Sequence, residues 1–321
     1  MNDSLTIVLD NNELAASICG VNDRNLKVME ERLGGRISAR GNEIRLEGAG
    51  ETELNLFKSA VGKMVSSFNK GEDTSIEYIE TLVASDDDGG EALAIDGAAI
   101  GDDAIKIPHG FRWVFPRGKG QTQYVQGMRC RDISFCIGPA GTGKTFLAVA
   151  EALRLVLSKK IRKMVLTRPV VEAGESLGFL PGDMAQKIHP YLRPLYDSME
   201  SLVPYEIIHR LEDSRAIEIA PLAYMRGRSL NGSFIILDEA QNTTKEQMKM
   251  FLTRIGQGSR AVITGDATQI DLPKKTESGL LHAMEILKNI EDIHFTFLHS
   301  TDVVRNPIIK KIIKAYNENN S

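Results

Sequence analysis

The sequence is poor in the residues that mark secreted, membrane-bound or metal-holding proteins. Its 321 residues include only three cysteines, Cys19, Cys130 and Cys136, whose spacing fits no metal motif. We interpret them as small buried hydrophobic side chains in a reducing compartment. The six histidines form neither an HxxxH nor an HExxH pattern, which argues against a histidine metal site. Because no apolar run approaches the ~20 residues of a membrane span, and the run at 5–9 is too short for a signal peptide, we expect a cytoplasmic protein with no membrane partner.

The net charge bears on the kind of partner the chain can bind, and one acidic stretch indicates where its domains are divided. With 39 Lys and Arg against 43 Asp and Glu, the net charge of −4 argues against a blanket affinity for nucleic acid, although it is compatible with a local basic face. Residues 84–104 carry seven acids and no Lys or Arg, which indicates a flexible, solvated linker; an acidic activation tail is the alternative. We therefore predict a small domain over 1–83, the linker over 84–104 and a larger domain over 105–321.

The first 83 residues predict a small α+β domain. The run at 5–9 is typical of a strand, and residues 22–34 are typical of a helix that Asn22 or Asp23 caps. The runs RISAR and EIRLE then predict a hairpin, and a third short helix is expected over 76–83. A second helix is indicated by apolar residues three and four apart: Phe57, Val61, Met64, Val65 and Phe68.

The predicted β-α-β-β-α order resembles a KH-type RNA-binding fold. However, LGGR at 33–36 lacks the GxxG spacing that clamps a nucleic-acid backbone in such domains. A docking or oligomerisation domain is the alternative.

From about residue 105 onward, apolar strands alternate with helices. Five continuous apolar runs predict parallel strands covered on both faces: ISFCI, KMVLT, FIILD, AVITG and HFTFL. Since helical segments separate these runs, we predict an α/β domain with a doubly wound parallel sheet.

Residues 138–145, GPAGTGKT, fit the phosphate-binding pattern G-x-x-x-x-G-K-[ST]. The strand run ISFCI leads into them and the helical run TFLAVAEALRLVL leads out, so free N–H groups at the helix start would meet the phosphates. We expect Lys144 to bridge the β- and γ-phosphates and the Thr145 hydroxyl to ligate Mg²⁺. The predicted nucleotide-binding residues of this loop are Gly138, Pro139, Ala140, Gly141, Thr142, Gly143, Lys144 and Thr145.

Two later strand ends supply polar partners for the loop. FIILDEAQN places Asp238 where it can hold Mg²⁺, and Glu239 where it can polarise an attacking water. A helix-capping acidic pair is the alternative for this motif alone. AVITGDATQIDLP places Thr264 and Asp266 beside those acids, and Gln269 where it could sense the γ-phosphate, although TGD is also common turn chemistry.

Together, GPAGTGKT, LTRPVVEAGESLGFLPGD, ILDEAQN, TGDATQIDLP and DVVRNP resemble the PhoH-like family of P-loop ATPases, over roughly residues 105–321. The core of that family is similar to the first RecA-like domain of superfamily 1 helicases. The resemblance implies an ATP-binding and ATP-hydrolysing protein of P-loop NTPase fold. It also implies that Gln121 reads the adenine edge, and that Arg168 and the loop 172–182, beginning at Glu172, face RNA or a neighbouring subunit.

A further implication of the resemblance is an arginine, Arg305 in DVVRNP, that stabilises charge on the transferring phosphoryl group. A surface salt bridge is the alternative for Arg305. Family members usually have histidine at the next position, where this chain has Asn306, so a titratable group is lost there. The predicted catalytic residues are thus Lys144, Glu239 and Arg305.

The number of residues after the TGD motif at 264–266 limits how many RecA-like domains the chain can contain. Roughly 50 residues follow it, whereas a second RecA-like domain needs about 150, so one such domain is expected. Arg305 would then act in cis, or in trans within a homo-oligomer, for which we favour a hexameric ring. The expected function is an ATPase acting on single-stranded RNA, as a helicase or remodeller in RNA or ribosome maturation. The alternatives are a nucleotide-gated adaptor for a protein such as a ribonuclease or ribosome-assembly factor, and a small-molecule kinase.

Overall fold

The structure is a computed structural model that describes residues 4–69, 79, 82, 103–109, 111–169, 184–272 and 278–303. The chain divides into two compact units. One comprises Met1–Ala104 and Phe115–Gly118, and the other Ile105–Val114 and Lys119–Ser321. In the described part of the chain no helix is long and apolar enough to cross a membrane.

Within residues 4–69, the first unit contains a three-stranded antiparallel sheet and three α-helices. Its elements are β1 (Ser4–Val8), α1 (Asn12–Cys19), α2 (Arg24–Leu33), β2 (Arg36–Arg40), β3 (Glu43–Glu47) and α3 (Glu51–Asn69). The strand order is β1-β3-β2, and β2 with β3 forms the predicted hairpin. Phe57, Val61 and Met64 of α3 are buried, as are Ile44 and Leu46 of β3. Of the five α3 residues whose spacing predicted the helix, these three are buried, whereas Val65 and Phe68 are only partly buried.

Two predictions for this unit were wrong. The order is β-α-α-β-β-α, because α1 adds a helix that Asn11 caps by accepting a hydrogen bond from the Leu14 N–H at 2.8 Å. Neither Asn22 nor Asp23 caps α2 with its side chain. Their backbones are left-handed, with φ of 54° and 56°, whereas a capping residue normally has an extended backbone.

The second unit is built on a six-stranded sheet whose strands are β6 (Ile133–Ile137), β7 (Lys163–Arg168), β8 (Ile217–Pro221), β9 (Ser233–Leu237), β10 (Arg260–Gly265) and β11 (Ile293–Phe297). The strand order is β11-β6-β10-β9-β7-β8, and every pairing is parallel. The helices are α4 (Lys119–Cys130), α5 (Lys144–Leu157), α6 (Met184–Glu200), α7 (Tyr205–Asp213), α8 (Lys245–Leu252) and α9 (Gly279–Leu287). A short antiparallel pair, β4 (Ile105–Lys106) and β5 (Trp113–Val114), precedes them.

Alternate residues of each strand face two separate hydrophobic cores. On one side Cys136, Leu166 and Ile236 pack with residues of α4, α5, α6 and α7. On the other side Phe135 and Val165 pack with residues of α8 and α9. Burial on both sides explains why the strands read as continuous apolar runs, and the predicted α/β class with helices on both faces is confirmed.

The sheet has one strand more than the five predicted. Strand β8 lies at the edge and carries Glu218, which accepts hydrogen bonds from Arg228 and from Lys163. Because this polar residue interrupts the run, β8 shows no continuous apolar stretch in the sequence.

The prediction that all three cysteines are buried was wrong for one of them. Cys19 and Cys136 are buried, whereas Cys130, the last residue of α4, is exposed.

Several predictions fall outside the described residues. They concern most of the linker 84–104, the loop 172–182 with Glu172, and both Arg305 and Asn306. Of the helix expected over 76–83, only Ile79 and Leu82 are described, both helical and buried. The predicted domain boundaries therefore stay predictions.

Candidate functional site

The carboxyl ends of the parallel strands bring most of the predicted site together. The phosphate-binding loop follows β6, Asp238 follows β9, and Asp266 follows β10, which lies between those two strands. These segments border a cavity of about 280 Å³. The predicted residues that line it are Ala140, Gly141, Gly143, Lys144, Thr145, Asp238, Glu239, Asp266 and Gln269.

The loop requires glycine for two separate reasons. A Cβ on Gly138 would lie 2.6 Å from the carbonyl oxygen of Leu298, at the end of the neighbouring strand β11. Gly141 and Gly143 have φ of 84° and 79°, a left-handed backbone that other residues rarely adopt. Within the loop, the Thr142 hydroxyl donates a hydrogen bond to the Pro139 carbonyl at 2.9 Å, which stabilises the turn.

Lys144 begins α5 and folds back over its own loop. Its Nζ donates to the carbonyl oxygens of Gly138 at 2.6 Å and Pro139 at 2.8 Å. Burial lowers the pKa of this amine, and the surrounding acids Asp266 and Asp238 oppose that shift. The ammonium group thus lies in an enclosed, acidic part of the cavity.

An oxygen cluster lies beside the lysine. Asp238 is 5% exposed, and its Oδ1 accepts hydrogen bonds from the hydroxyls of Thr145 and Thr264, both at 2.7 Å. A carboxylate with a hydroxyl is the kind of oxygen ligand set that Mg²⁺ prefers. These residue types therefore fit the ion that the sequence predicted, and the role of Thr145 and Asp238 as its ligands stays a prediction.

Glu239 adopts a left-handed backbone, with φ of 54°, and both oxygens of its carboxylate accept hydrogen bonds. Oε1 accepts from Nη2 of Arg168 and Oε2 from Nε2 of Gln241, each at 2.5 Å. The side chain is 36% exposed, so water reaches it from the cavity. The Glu239 carboxylate is therefore held at two points and faces the space next to Asp238.

Arg168, the last residue of β7, lies within the site. Besides binding Glu239, its Nε lies 3.7 Å from Oδ2 of Asp238, and its Nη1 donates to the Tyr191 carbonyl at 3.0 Å. The sequence suggested that Arg168 faces RNA or a neighbouring subunit. In this structure its guanidinium contacts both acids, and the prediction of an outside partner stays a prediction.

Asp266 and Gln269 join the loop to the acids. Oδ2 of Asp266 accepts from the Ala140 N–H at 3.1 Å and from Nε2 of Gln269 at 2.7 Å, and its Oδ1 accepts from Thr268. Burial acts to raise the pKa of Asp266, but hydrogen bonds from Thr268 and Gln269 outweigh it and hold that pKa below its usual value. Asp266 therefore carries negative charge against the phosphate-binding loop.

Two buried residues of the site were missed in the sequence. The Gln241 side chain is fully buried: its Oε1 accepts from the Asp266 N–H at 3.0 Å, while its Nε2 donates to Glu239 and to the Gln269 carbonyl. Tyr124 of α4 is also fully buried, and its hydroxyl donates to the Lys144 carbonyl at 3.2 Å. Burial raises the pKa of this hydroxyl well above its usual value. The position of Gln241, two residues after Glu239, was the available signal for it.

Gln121 of α4 is hydrogen-bonded to the phosphate-binding loop. Its side chain is 3% exposed and its Nε2 donates to the Thr142 carbonyl at 2.9 Å. The expected contact with an adenine edge stays a prediction, since it would need the amide of Gln121 to reach the nucleotide as well.

A sequence model of PhoH-like proteins matches residues 113–317 of this chain. The chain belongs to the PhoH-like family. The PhoH-like protein of Bacillus subtilis (strain 168) is 45% identical to it over 315 residues, which cover 97% of each chain. The PhoH-like protein of Mycobacterium tuberculosis (strain ATCC 25618 / H37Rv) is 43% identical over 309 residues, 95% of this chain and 85% of that one. As a PhoH-like P-loop protein the chain belongs to a nucleotide-binding family, in agreement with the loop at 138–145.

A weaker likeness is to the crystal structure of Pif1 helicase from Candida albicans. The two share 18% sequence identity over 61% of this chain and 41% of the helicase, with a TM-score of 0.31. A TM-score this low supports no conclusion about the function of the PhoH-like chain.

Proposed function

We propose that this PhoH-like protein binds ATP with Mg²⁺ and hydrolyses it to ADP and phosphate. The observation that carries the proposal is the Glu239 carboxylate, which lines the same cavity as the phosphate-binding loop and Asp238. A hydrolase needs such a group to orient and deprotonate water, whereas a small-molecule kinase instead positions a second substrate.

Each residue of the site has a separate task in the proposed reaction. Lys144 exchanges its hydrogen bonds with the loop carbonyls for bonds to the β- and γ-phosphate oxygens. Thr145 and Asp238 would hold Mg²⁺, which neutralises phosphate charge when bound. Glu239 takes a proton from the water that attacks the γ-phosphorus, while the bond from that phosphorus to the β–γ bridging oxygen breaks.

The hydrogen bonds of Glu239 must rearrange before it can accept a proton. Oε1 is occupied by Arg168, so an attacking water competes with that guanidinium. A γ-phosphate near Asp238 would attract Arg168 and free Oε1, because the guanidinium already lies close to that acid. Gln241 keeps its bond to Oε2 and, through Asp266 and Gln269, would link the presence of the γ-phosphate to the position of Glu239.

We further propose that the ATPase acts on RNA, as an RNA-dependent ATPase, helicase or remodeller. The support is the similarity of LTRPVVEAGESLGFLPGD to the helicase segment that touches a nucleic-acid backbone, together with a first unit of KH-like element types. A nucleotide-gated adaptor for a protein partner, with slow hydrolysis that ignores RNA, is the second candidate. It is favoured by the net charge of −4.

A hexameric ring is the proposed assembly. A closed head-to-tail interface would bring Arg305 of one subunit to the phosphates held by the next. Light scattering of the full chain tests this, because one chain has a mass of 35.4 kDa. A particle of that mass with full ATPase activity would contradict the ring.

The function is tested by phosphate release from ATP, with and without an oligouridylate of about 20 nucleotides at fixed salt. The RNA-directed ATPase predicts a several-fold faster release with RNA. An unchanged rate would favour the adaptor, and transfer of labelled γ-phosphate to an acceptor other than water would favour a kinase.

A further inference from the structure

The turn after the edge strand β8 presents an exposed aromatic ring. Tyr224 is 56% exposed, although its neighbours Leu222 and Met225 are buried against Met248 and Phe251 of α8. The two buried residues fix the backbone of the turn, so the Tyr224 ring is held in solvent by the fold. A large ring held outward in this way has surface available for a partner.

The charged side chains in the segment that forms this turn are all positive. No acid occurs in the sequence between Glu218 and Asp238. Glu218 is already bound by Arg228 at 2.6 and 2.8 Å, and this bidentate pair neutralises both groups. Arg226, two residues after Tyr224, is exposed and makes no ion pair with any residue that the structure describes. Its guanidinium is therefore available to an anion.

The turn also lies next to the residue that holds Glu239. In the sheet, Pro221 at the end of β8 pairs with Arg168 at the end of β7, so the two strand ends are adjacent, about 5 Å apart. Arg168 in turn binds the Glu239 carboxylate at 2.5 Å. A ligand on the turn would thus be one strand away from the Arg168–Glu239 pair.

We propose that Tyr224 and Arg226 form a contact site for single-stranded RNA. A base would stack on the Tyr224 ring, and a neighbouring phosphate would bind the Arg226 guanidinium. Every base has a face that stacks on an aromatic ring, and the phosphates give strands of any sequence the same charge, so this site tolerates many sequences. The inference rests on the proposed RNA-directed ATPase and assigns part of its RNA surface.

The test is binding of a fluorescein-labelled oligouridylate of about 20 nucleotides to the full chain, followed by anisotropy at several salt concentrations. The variants are Tyr224→Ala, Tyr224→Phe and Arg226→Ala. Tyr205→Ala is the matched control, because Tyr205 of α7 is 58% exposed. Unstimulated ATP hydrolysis and the thermal unfolding midpoint are measured for each variant, to show that the fold and the catalytic site are intact.

We expect Tyr224→Ala to weaken RNA binding about 5- to 100-fold, whereas Tyr224→Phe keeps the ring and the affinity. A plot of log affinity against log salt concentration has a negative slope. Arg226→Ala should reduce the magnitude of that slope by about 0.7, the value for one lost phosphate contact to a single strand. If Tyr224→Ala, Tyr205→Ala and the unchanged protein bind RNA equally, the site is refuted while the RNA-directed ATPase stands. If the unchanged protein binds no RNA, the RNA-directed function fails and this site fails with it.

Discussion

Replacing Gln241 with methionine tests how the candidate general base is held. The glutamine side chain is fully buried and joins three groups: the Asp266 N–H at 3.0 Å, the Glu239 carboxylate at 2.5 Å and the Gln269 carbonyl at 3.1 Å. Methionine has nearly the same length and shape but no strong donor or acceptor. The substitution Gln241→Met therefore removes three hydrogen bonds while leaving little empty volume.

The expected loss differs between the three partners. The Asp266 N–H is buried, and leaving it without its acceptor costs about 1–3 kcal/mol. Glu239 is partly exposed and keeps Arg168, so water can replace part of the lost bond, and the other two bonds together contribute about 1–2 kcal/mol. We expect the free energy of unfolding to fall by about 2–5 kcal/mol. A general base that is no longer oriented should lower kcat about 10- to 100-fold.

The assay is urea unfolding followed by Trp113 fluorescence, with steady-state ATP hydrolysis below the transition. Trp113 is the one tryptophan of the chain and belongs to the same compact unit as the site. Gln257→Met is the matched control, because that glutamine is exposed. If Gln241→Met keeps both the stability and the kcat of Gln257→Met, the tethering of Glu239 by Gln241 is refuted.

Three further predictions follow from the same contacts. Gly138→Ala places a Cβ 2.6 Å from the Leu298 carbonyl oxygen, so a fluorescent ATP analogue should bind at least about tenfold more weakly. Thr145→Ala removes a proposed Mg²⁺ ligand and should raise the Mg²⁺ concentration for half-maximal hydrolysis about tenfold or more. The hydrogen bond from Arg228 lowers the pKa of Glu218 to about 2. Stability from this pair is therefore complete above the unfolded pKa near 4.5 and is lost as pH falls toward 2, so Glu218→Gln should flatten the acid side of a stability–pH curve.

Much of the second unit could be predicted because its signals are local. A strand covered on both faces is mostly apolar, and five of the six strands of the sheet contain the apolar runs that were predicted. The phosphate-binding loop could be identified because its backbone conformation requires glycine at fixed positions. Gly141 and Gly143 have the positive φ that other residues rarely adopt. The position of Asp238 beside the loop followed from the rule that parallel strands end at one edge.

Two elements that were missed give weak signals in the sequence. Strand β8 lies at the edge, where Glu218 binds partners from two other segments. Helix α1 is only eight residues long, and two of its four buried residues, Ala15 and Cys19, are small. Its capping residue, Asn11, was the local signal that could have revealed it.

The chemistry of the site was predicted less fully than its location. Glu239 was identified from the acid pair, but its contact with Arg168 joins residues 71 positions apart. Gln241 was missed because its importance lies in bonds to Asp266 and Gln269, which only the order of strands β9 and β10 brings near. Such pairings are set by tertiary structure, and the position of Gln241, two residues after Glu239, was the only signal for it in the sequence.

The most direct test of the account is a single-turnover measurement of ATP hydrolysis by Glu239→Gln. The variant keeps the shape of the side chain and loses its ability to accept a proton at neutral pH. We expect Glu239→Gln to bind ATP nearly as well as the unchanged protein and to hydrolyse it at least about 100-fold more slowly. Glu285 is an exposed residue of α9, so the control variant Glu285→Gln should retain the full rate. Hydrolysis by Glu239→Gln at the rate of Glu285→Gln would contradict the assignment of Glu239 as the base.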